Sequence, residues 1–95
     1  MRVISVRALR DFWIKHADAE EPLRAWFKEA ERANWKSTAD VKGHYPSASF
    51  VGKNRIVFNI KGNKYRLIII FRPPHVFIRY LGTHADYDRI DAATV

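Results

Sequence analysis

A chain of 95 residues with a 47 % hydrophobic share, including three Trp, four Tyr and six Phe, is expected to form one domain over residues 1–95 and to leave no room for a second. It contains no cysteine, which excludes disulfide frameworks, thiolate metal sites and thiol nucleophiles. The absence of cysteine fits a reducing cytoplasm as the expected setting, the longest apolar run, Leu67–Phe71, is far shorter than the ~20 residues of a membrane helix, and a formal net charge of +7 points to a polyanionic partner.

In chain order, Met1 to Ile4 is a short β-branched start. Ser5 then stands where a helix N-cap belongs, and Val6, Leu9, Trp13 and Ile14 recur at helical spacing, which predicts a helix over residues 6–16. Glu20 and Glu21 before Pro22 suit the positive end of a second helix. Its stripe of Leu23, Trp26, Phe27, Ala30 and Ala33 carries it to about Asn34. Thr38 to His44 can add a single helical turn ahead of Tyr45-Pro46. From Phe50 the apolar period drops to two, and Arg55–Lys61, Lys64–Arg72 and His75–Leu81 read as three strands. Thr83-x-x-Asp86 reads as the cap of a short C-terminal helical segment. The expected class is α+β, with two N-terminal helices packed on one face of a small antiparallel sheet.

Turn chemistry registers the strands. Gly62-Asn63 as a two-residue hairpin pairs Lys61 with Lys64, Asn59 with Arg66 and Val57 with Ile68. A two-residue reversal at Pro73-Pro74 pairs Arg72 with His75, Ile70 with Phe77, Ile68 with Arg79 and Arg66 with Leu81. Strand parity then gives the helices a face of Ile56, Phe58, Ile60, Tyr65, Leu67, Ile69, Phe71, Val76, Ile78 and Tyr80. The opposite face collects Arg55, Asn59, Lys61, Lys64, Arg66, Arg72 and Arg79 around a few apolar supports. Charge is uneven along the chain in the same sense: residues 41–85 hold eight Lys/Arg, three His and no carboxylate. That is more cationic than a mixed surface requires.

The run from Phe58 to Leu67 (Phe-Asn-Ile-Lys-Gly-Asn-Lys-Tyr-Arg-Leu), followed by Thr83-His84-x-x-Tyr87-Asp88, resembles the HigB toxins. Two helices before a sheet are similar to the RelE-like fold, and the likeness spans nearly the whole chain. The resemblance implies the toxin of a type II toxin–antitoxin system: an endoribonuclease that cuts mRNA in the ribosomal A site and is silenced by a HigA-like antitoxin. It also implies that Arg66 contacts the scissile phosphate and that His84 and Tyr87 belong to the catalytic segment. Relatives nearer to RelE carry lysines on the preceding strand where this chain has Val57 and Asn59, which argues against a lysine-based proton transfer.

RNA cleavage needs no external nucleophile, because the 2′-hydroxyl attacks its own phosphate once it is oriented and deprotonated and the added charge is neutralised. Cations, a proton acceptor and a proton donor suffice, so neither cofactor nor metal is expected. Arginine stays protonated and suits charge neutralisation, histidine exchanges protons near neutrality, and tyrosine stacks or hydrogen-bonds. Arg66, His84 and Tyr87 are therefore the candidate catalytic residues, with Asn59, Lys61, Lys64 and Arg79 the candidate RNA contacts. Other readings of the same residues remain open. A non-catalytic RNA- or ribosome-binding module would use the same basic face, and His84-x-Asp86-x-Asp88 would be a minimal metal set.

Overall fold

The computed structural model describes residues 1–95. The elements are β1 (Arg2–Ile4), α1 (Val6–Lys15), α2 (Glu20–Arg32), α3 (Thr38–His44), β2 (Ser49–Val51), β3 (Arg55–Ile60), β4 (Tyr65–Arg72), β5 (His75–Thr83) and α4 (His84–Tyr87), with a 3-10 turn at Ala17–Ala19 between the first two helices. One five-stranded sheet runs β1-β5-β4-β3-β2. The class is α+β as expected, and α1 and α2 share a buried apolar cluster with one face of the sheet.

The helices form for the anticipated reasons, with local differences. Ser5 does not cap α1 through its side chain and instead sits in the left-handed region at φ 73°. Ile14, expected in the core stripe, is 75 % exposed. At ~100° per residue it lies about 140° around the helix from fully buried Leu9, so Phe12 and Trp13 take the inward positions. In α2, Leu23, Trp26 and Ala30 are buried, and the Trp26 ring meets Phe58 edge-on at 5.4 Å. The single turn expected at Thr38–His44 is a two-turn helix, because a Ser37/Asp40 capping box fixes its start and Val41 anchors it in the core. The Asp40 carboxylate accepts from the Ser37 N–H at 3.2 Å and from the Lys36 N–H at 2.8 Å.

The sheet differs from the expected antiparallel arrangement at one edge. β1 pairs parallel to β5, with Arg2 opposite His75 and Ile4 opposite Phe77. A parallel neighbour requires a long crossover connection, which the intervening chain from α1 to β4 supplies. Because β1 has only three residues, β5 beyond Ile78 has no strand on that side. The β3–β4 hairpin has the predicted register, with Asn59 opposite Arg66 and Val57 opposite Ile68. Its ladder closes at Ile60–Tyr65, one pair before Lys61–Lys64, since Lys61 and Gly62 both adopt positive φ in the turn.

Between β4 and β5 the predicted register holds through Arg72–His75 and Ile70–Phe77 and then slips. Ile69 pairs with Ile78, but Ile68 pairs with Tyr80 and Arg66 with Gly82, not with Arg79 and Leu81. Arg79 is the extra residue of a β-bulge. Beyond it every side chain changes faces. Leu81 therefore packs against the core, while Tyr80, expected there, goes to the opposite side.

That opposite side is also less open than parity implied. After α4 the chain returns across it: the Val95 carbonyl accepts from Arg55 Nη2 at 2.6 Å and from Arg79 Nε at 2.8 Å, and Ala93 lies 3.2 Å from where a Gly52 Cβ would stand. Val57 (3 % exposed) and Ile68 (0 %) on this face are as buried as residues of the main core. No helix is long and apolar enough to cross a membrane.

Candidate functional site

The candidate site forms where the C-terminal half of β5 enters α4, beside the hairpin of β3 and β4. Arg66 is in the middle, with Asn59 as its neighbour on one strand and Gly82 on the other. Its position on the outer face follows from the alternation with Tyr65 and Leu67, both buried in the core. The half-buried guanidinium donates to the Asn63 carbonyl at 3.3 Å and stacks over the Tyr87 ring at 5.5 Å. The molecule has four close acid–base pairs, and Arg66 belongs to none of them. Its charge is thus held in place by weak partners and left available to an anion.

His84 is the first residue of α4. Its backbone N–H donates to the Lys64 carbonyl at 3.0 Å, extending the β4–β5 ladder by one bond. The imidazole Nδ1 lies 3.1 Å from Asp88 Oδ2, one helical turn on. Both side chains are solvent-exposed, and Nε2 has no partner within the protein. Thr83 Oγ1 accepts from the Asp86 N–H at 3.1 Å, the cap expected from Thr83-x-x-Asp86, and it sets the direction in which Tyr87 leaves the helix toward Arg66. His84, Asp86 and Asp88 do not converge into a metal-ligand set.

The four candidate RNA contacts fare differently. Asn59 and Lys61 are exposed and make no side-chain hydrogen bond within the protein. Lys64 is engaged: Asp18, from the turn between α1 and α2, accepts from its ammonium and, at 2.5 Å, from the Tyr65 hydroxyl. The Lys64 hydrogen bond above all, then that from Tyr65, holds the Asp18 carboxyl down at about 2, and the same contact raises Lys64 above the usual lysine range. Arg79 is tied to the Val95 carbonyl, away from Arg66. Lys64 and Arg79 are thus held by protein partners that the carboxylate-free stretch around them could not disclose.

Two residues join the cluster without having been anticipated in it. Asp88 is the carboxylate nearest the His84 imidazole; the i, i+4 spacing on a helix was its sequence signal. Tyr80 arrives through the bulge. Its phenol lies along the strand over Gly82, where a Cβ would stand 2.4 Å from the hydroxyl oxygen and 2.8 Å from Cζ. Partial burial, and then the nearby Asp86 carboxylate, raise its pKa above the usual tyrosine range. No regular sequence signal marks a bulge of this kind.

The arrangement defines a class: a small α+β protein with an unpaired arginine on a sheet face stacked on one tyrosine, with a second tyrosine on the adjoining strand and a histidine beside a carboxylate at the start of the last helix. A family model described as the HigB toxin, RelE-like toxic component of a toxin–antitoxin system, matches residues 19–90. The chain belongs to this family. It is therefore the toxic component of a toxin–antitoxin pair, and the family implies an antitoxin partner. A comparison with curated proteins gives no match. The matched span begins at the last residue of the 3-10 turn and takes in α2 to α4, including every residue of the candidate cluster.

Proposed function

We propose that this toxin is a metal-independent endoribonuclease that cleaves mRNA in the ribosomal A site, with Arg66, His84 and Tyr87 as its working residues. The observation that carries this reading is the unpaired Arg66 guanidinium, stacked on Tyr87 in the same small cluster as an imidazole with a free Nε2. In the proposed reaction the 2′-oxygen attacks the adjacent phosphorus and the bond to the 5′-oxygen breaks, leaving a cyclic phosphate. Charge builds on the non-bridging oxygens during attack, and a fixed arginine fork neutralises it without reorganising. His84 accepts the 2′-hydroxyl proton at Nε2 and returns it to the departing 5′-oxygen, with the Asp88 carboxylate beside Nδ1. Tyr87 stacks on a base or orients the chain.

Asn59 and Lys61 extend the contact along the RNA backbone. Lys64 and Arg79 add charge near it while remaining tied to Asp18 and Val95. The ribosome presents the mRNA, which places the protein in the cytoplasm, and the antitoxin restrains it. The test is to incubate purified protein with translating ribosomes in the presence of EDTA and map the RNA ends. New ends within codons, absent when Arg66 is replaced, support the reading. Ribosome binding without new ends makes the protein a non-catalytic ribosome-binding module, and cleavage only with added metal removes the metal-free mechanism.

A further inference from the structure

Tyr80 is unusual among the tyrosines that pack into this fold. Tyr45 directs its hydroxyl to Glu29 and Tyr65 directs its own to Asp18, so each phenol is satisfied inside the protein. The Tyr80 hydroxyl has no such partner. The hydroxyl keeps access to solvent and bonds to nothing within the protein, so the fold itself makes no use of it.

Its ring is also accommodated at a neighbour's expense. Gly82 is buried within β5, where glycine weakens a strand, and its φ is not in the positive range that would demand glycine. What it provides is space: any side chain there would occupy the position of the Tyr80 hydroxyl and Cζ. Gly82 is also the direct cross-strand partner of Arg66. In an antiparallel pair such partners lie roughly 4.5–5.5 Å apart and share a face. The phenolic oxygen therefore rests over the strand position facing Arg66, on the same side of the sheet.

We infer that Tyr80 is a substrate-contacting residue of the cleavage site, its hydroxyl donating to a non-bridging oxygen of the phosphate that Arg66 binds, with Gly82 as the positioning residue that lets it reach there. The inference rests on the ribonuclease reading for its chemistry. The phenol stays protonated at working pH, as a donor must, since burial and Asp86 both disfavour the phenolate. Arg66 and Tyr80 approach the phosphate from adjacent strands, one bringing charge and the other a neutral hydrogen bond.

The experiment compares wild type, Tyr80→Phe and Gly82→Ala in two assays, after melting curves establish that each variant is folded. In single-turnover cleavage on saturating translating ribosomes, Tyr80→Phe loses at least about tenfold, on the scale of removing one transition-state donor. Gly82→Ala, which displaces the ring, loses a similar factor and adds nothing further in a Tyr80→Ala background. In the second assay, a short 2′-O-methyl RNA, which can bind but cannot be cut, shifts the Tyr80 ring resonances and binds Tyr80→Phe several-fold more weakly. Wild-type cleavage and binding by Tyr80→Phe, or by folded Gly82→Ala, overturn the inference and leave the ribonuclease reading intact. If wild type cuts no RNA yet the uncleavable RNA still shifts Tyr80 and loses affinity with Tyr80→Phe, the contact stands and the cleavage reading falls.

Discussion

Replacing Arg66 by alanine should separate function from stability. Within the protein the guanidinium makes one long hydrogen bond, 3.3 Å to the Asn63 carbonyl, and one stacking contact with Tyr87 at 5.5 Å. A partly exposed cation–π contact contributes roughly 0.5–1 kcal/mol. A hydrogen bond at the edge of acceptable geometry adds less than the ~1 kcal/mol of a good one. No carboxylate is left unpaired by the change, so Arg66→Ala should lower stability by no more than about 1–2 kcal/mol. Losing a preorganised donor to a transition-state oxyanion, by contrast, costs about 10²–10³ in rate, or ~2.7–4 kcal/mol. The assay is single-turnover mRNA cleavage on translating ribosomes, with a denaturant melt of each variant. Arg66→Lys should recover part of the rate, because it keeps the charge and loses the two-pronged geometry. A variant that cuts at the wild-type rate, or one destabilised by more than ~3 kcal/mol, would refute the reasoning, since the arginine would then be structural.

The other predictions concern its neighbours. His84→Gln should abolish most cleavage, and Asp88→Asn should reduce it by about tenfold, as expected when a proton-transfer residue loses the carboxylate beside it; equal rates for wild type and both variants in the same assay would reject that division of roles. Lys61→Gln should reduce the salt dependence of RNA binding by close to one phosphate contact, roughly 0.7 in the log–log slope, whereas Lys64→Gln should change it less because Asp18 already neutralises Lys64; filter binding between 50 and 200 mM salt decides it. Asp18 titrates near 2 in the folded chain against 3.8 for the free carboxyl, so its contribution is fully present above about pH 4 and is lost as pH falls toward 2. Acid melts should therefore show Asp18→Asn missing part of the loss that wild type suffers across that window.

The β3–β4 hairpin was legible because the Gly62-Asn63 turn sets the pairing and the polar positions Arg55, Asn59, Arg66 and Arg72 fall on one parity, leaving a register that buries Phe58, Leu67 and Ile69 together. That register placed Asn59 beside Arg66, and the Thr83 cap placed His84 at the head of a helix. The capping box of α3 was written in Ser37-x-x-Asp40 and could have been read. Other features had no local signature. Three residues of β1 do not say which strand they join or in what direction. Asp18 is 46 residues from Lys64 along the chain, so the carboxylate-free segment suggested a freer lysine than the fold provides. The return of Asp91–Val95 across the outer face depends on backbone bonds to Arg55 and Arg79, which no pattern of side-chain types encodes.

The bulge at Arg79 is the most consequential of these, and its cause can be argued from the residues around it. With uninterrupted alternation, Tyr80 would enter the core and Leu81 would face the opposite side of the sheet. Inserting one unpaired residue exchanges them, so that Leu81 packs against the main apolar cluster. Full burial of a leucine side chain is worth roughly 1.5–3 kcal/mol, and Leu81, partly buried, gains a share of that. A tyrosine in the core would instead have to find a partner for its hydroxyl. The disruption is affordable because β5 beyond Ile78 has no strand on its other side, and bulges gather at such edges. Burial of Leu81 thus carries Tyr80 and Gly82 out to the face that holds Arg66. Packing on one side of the sheet, acting through a single extra residue, decides which side chains stand beside Arg66 on the other.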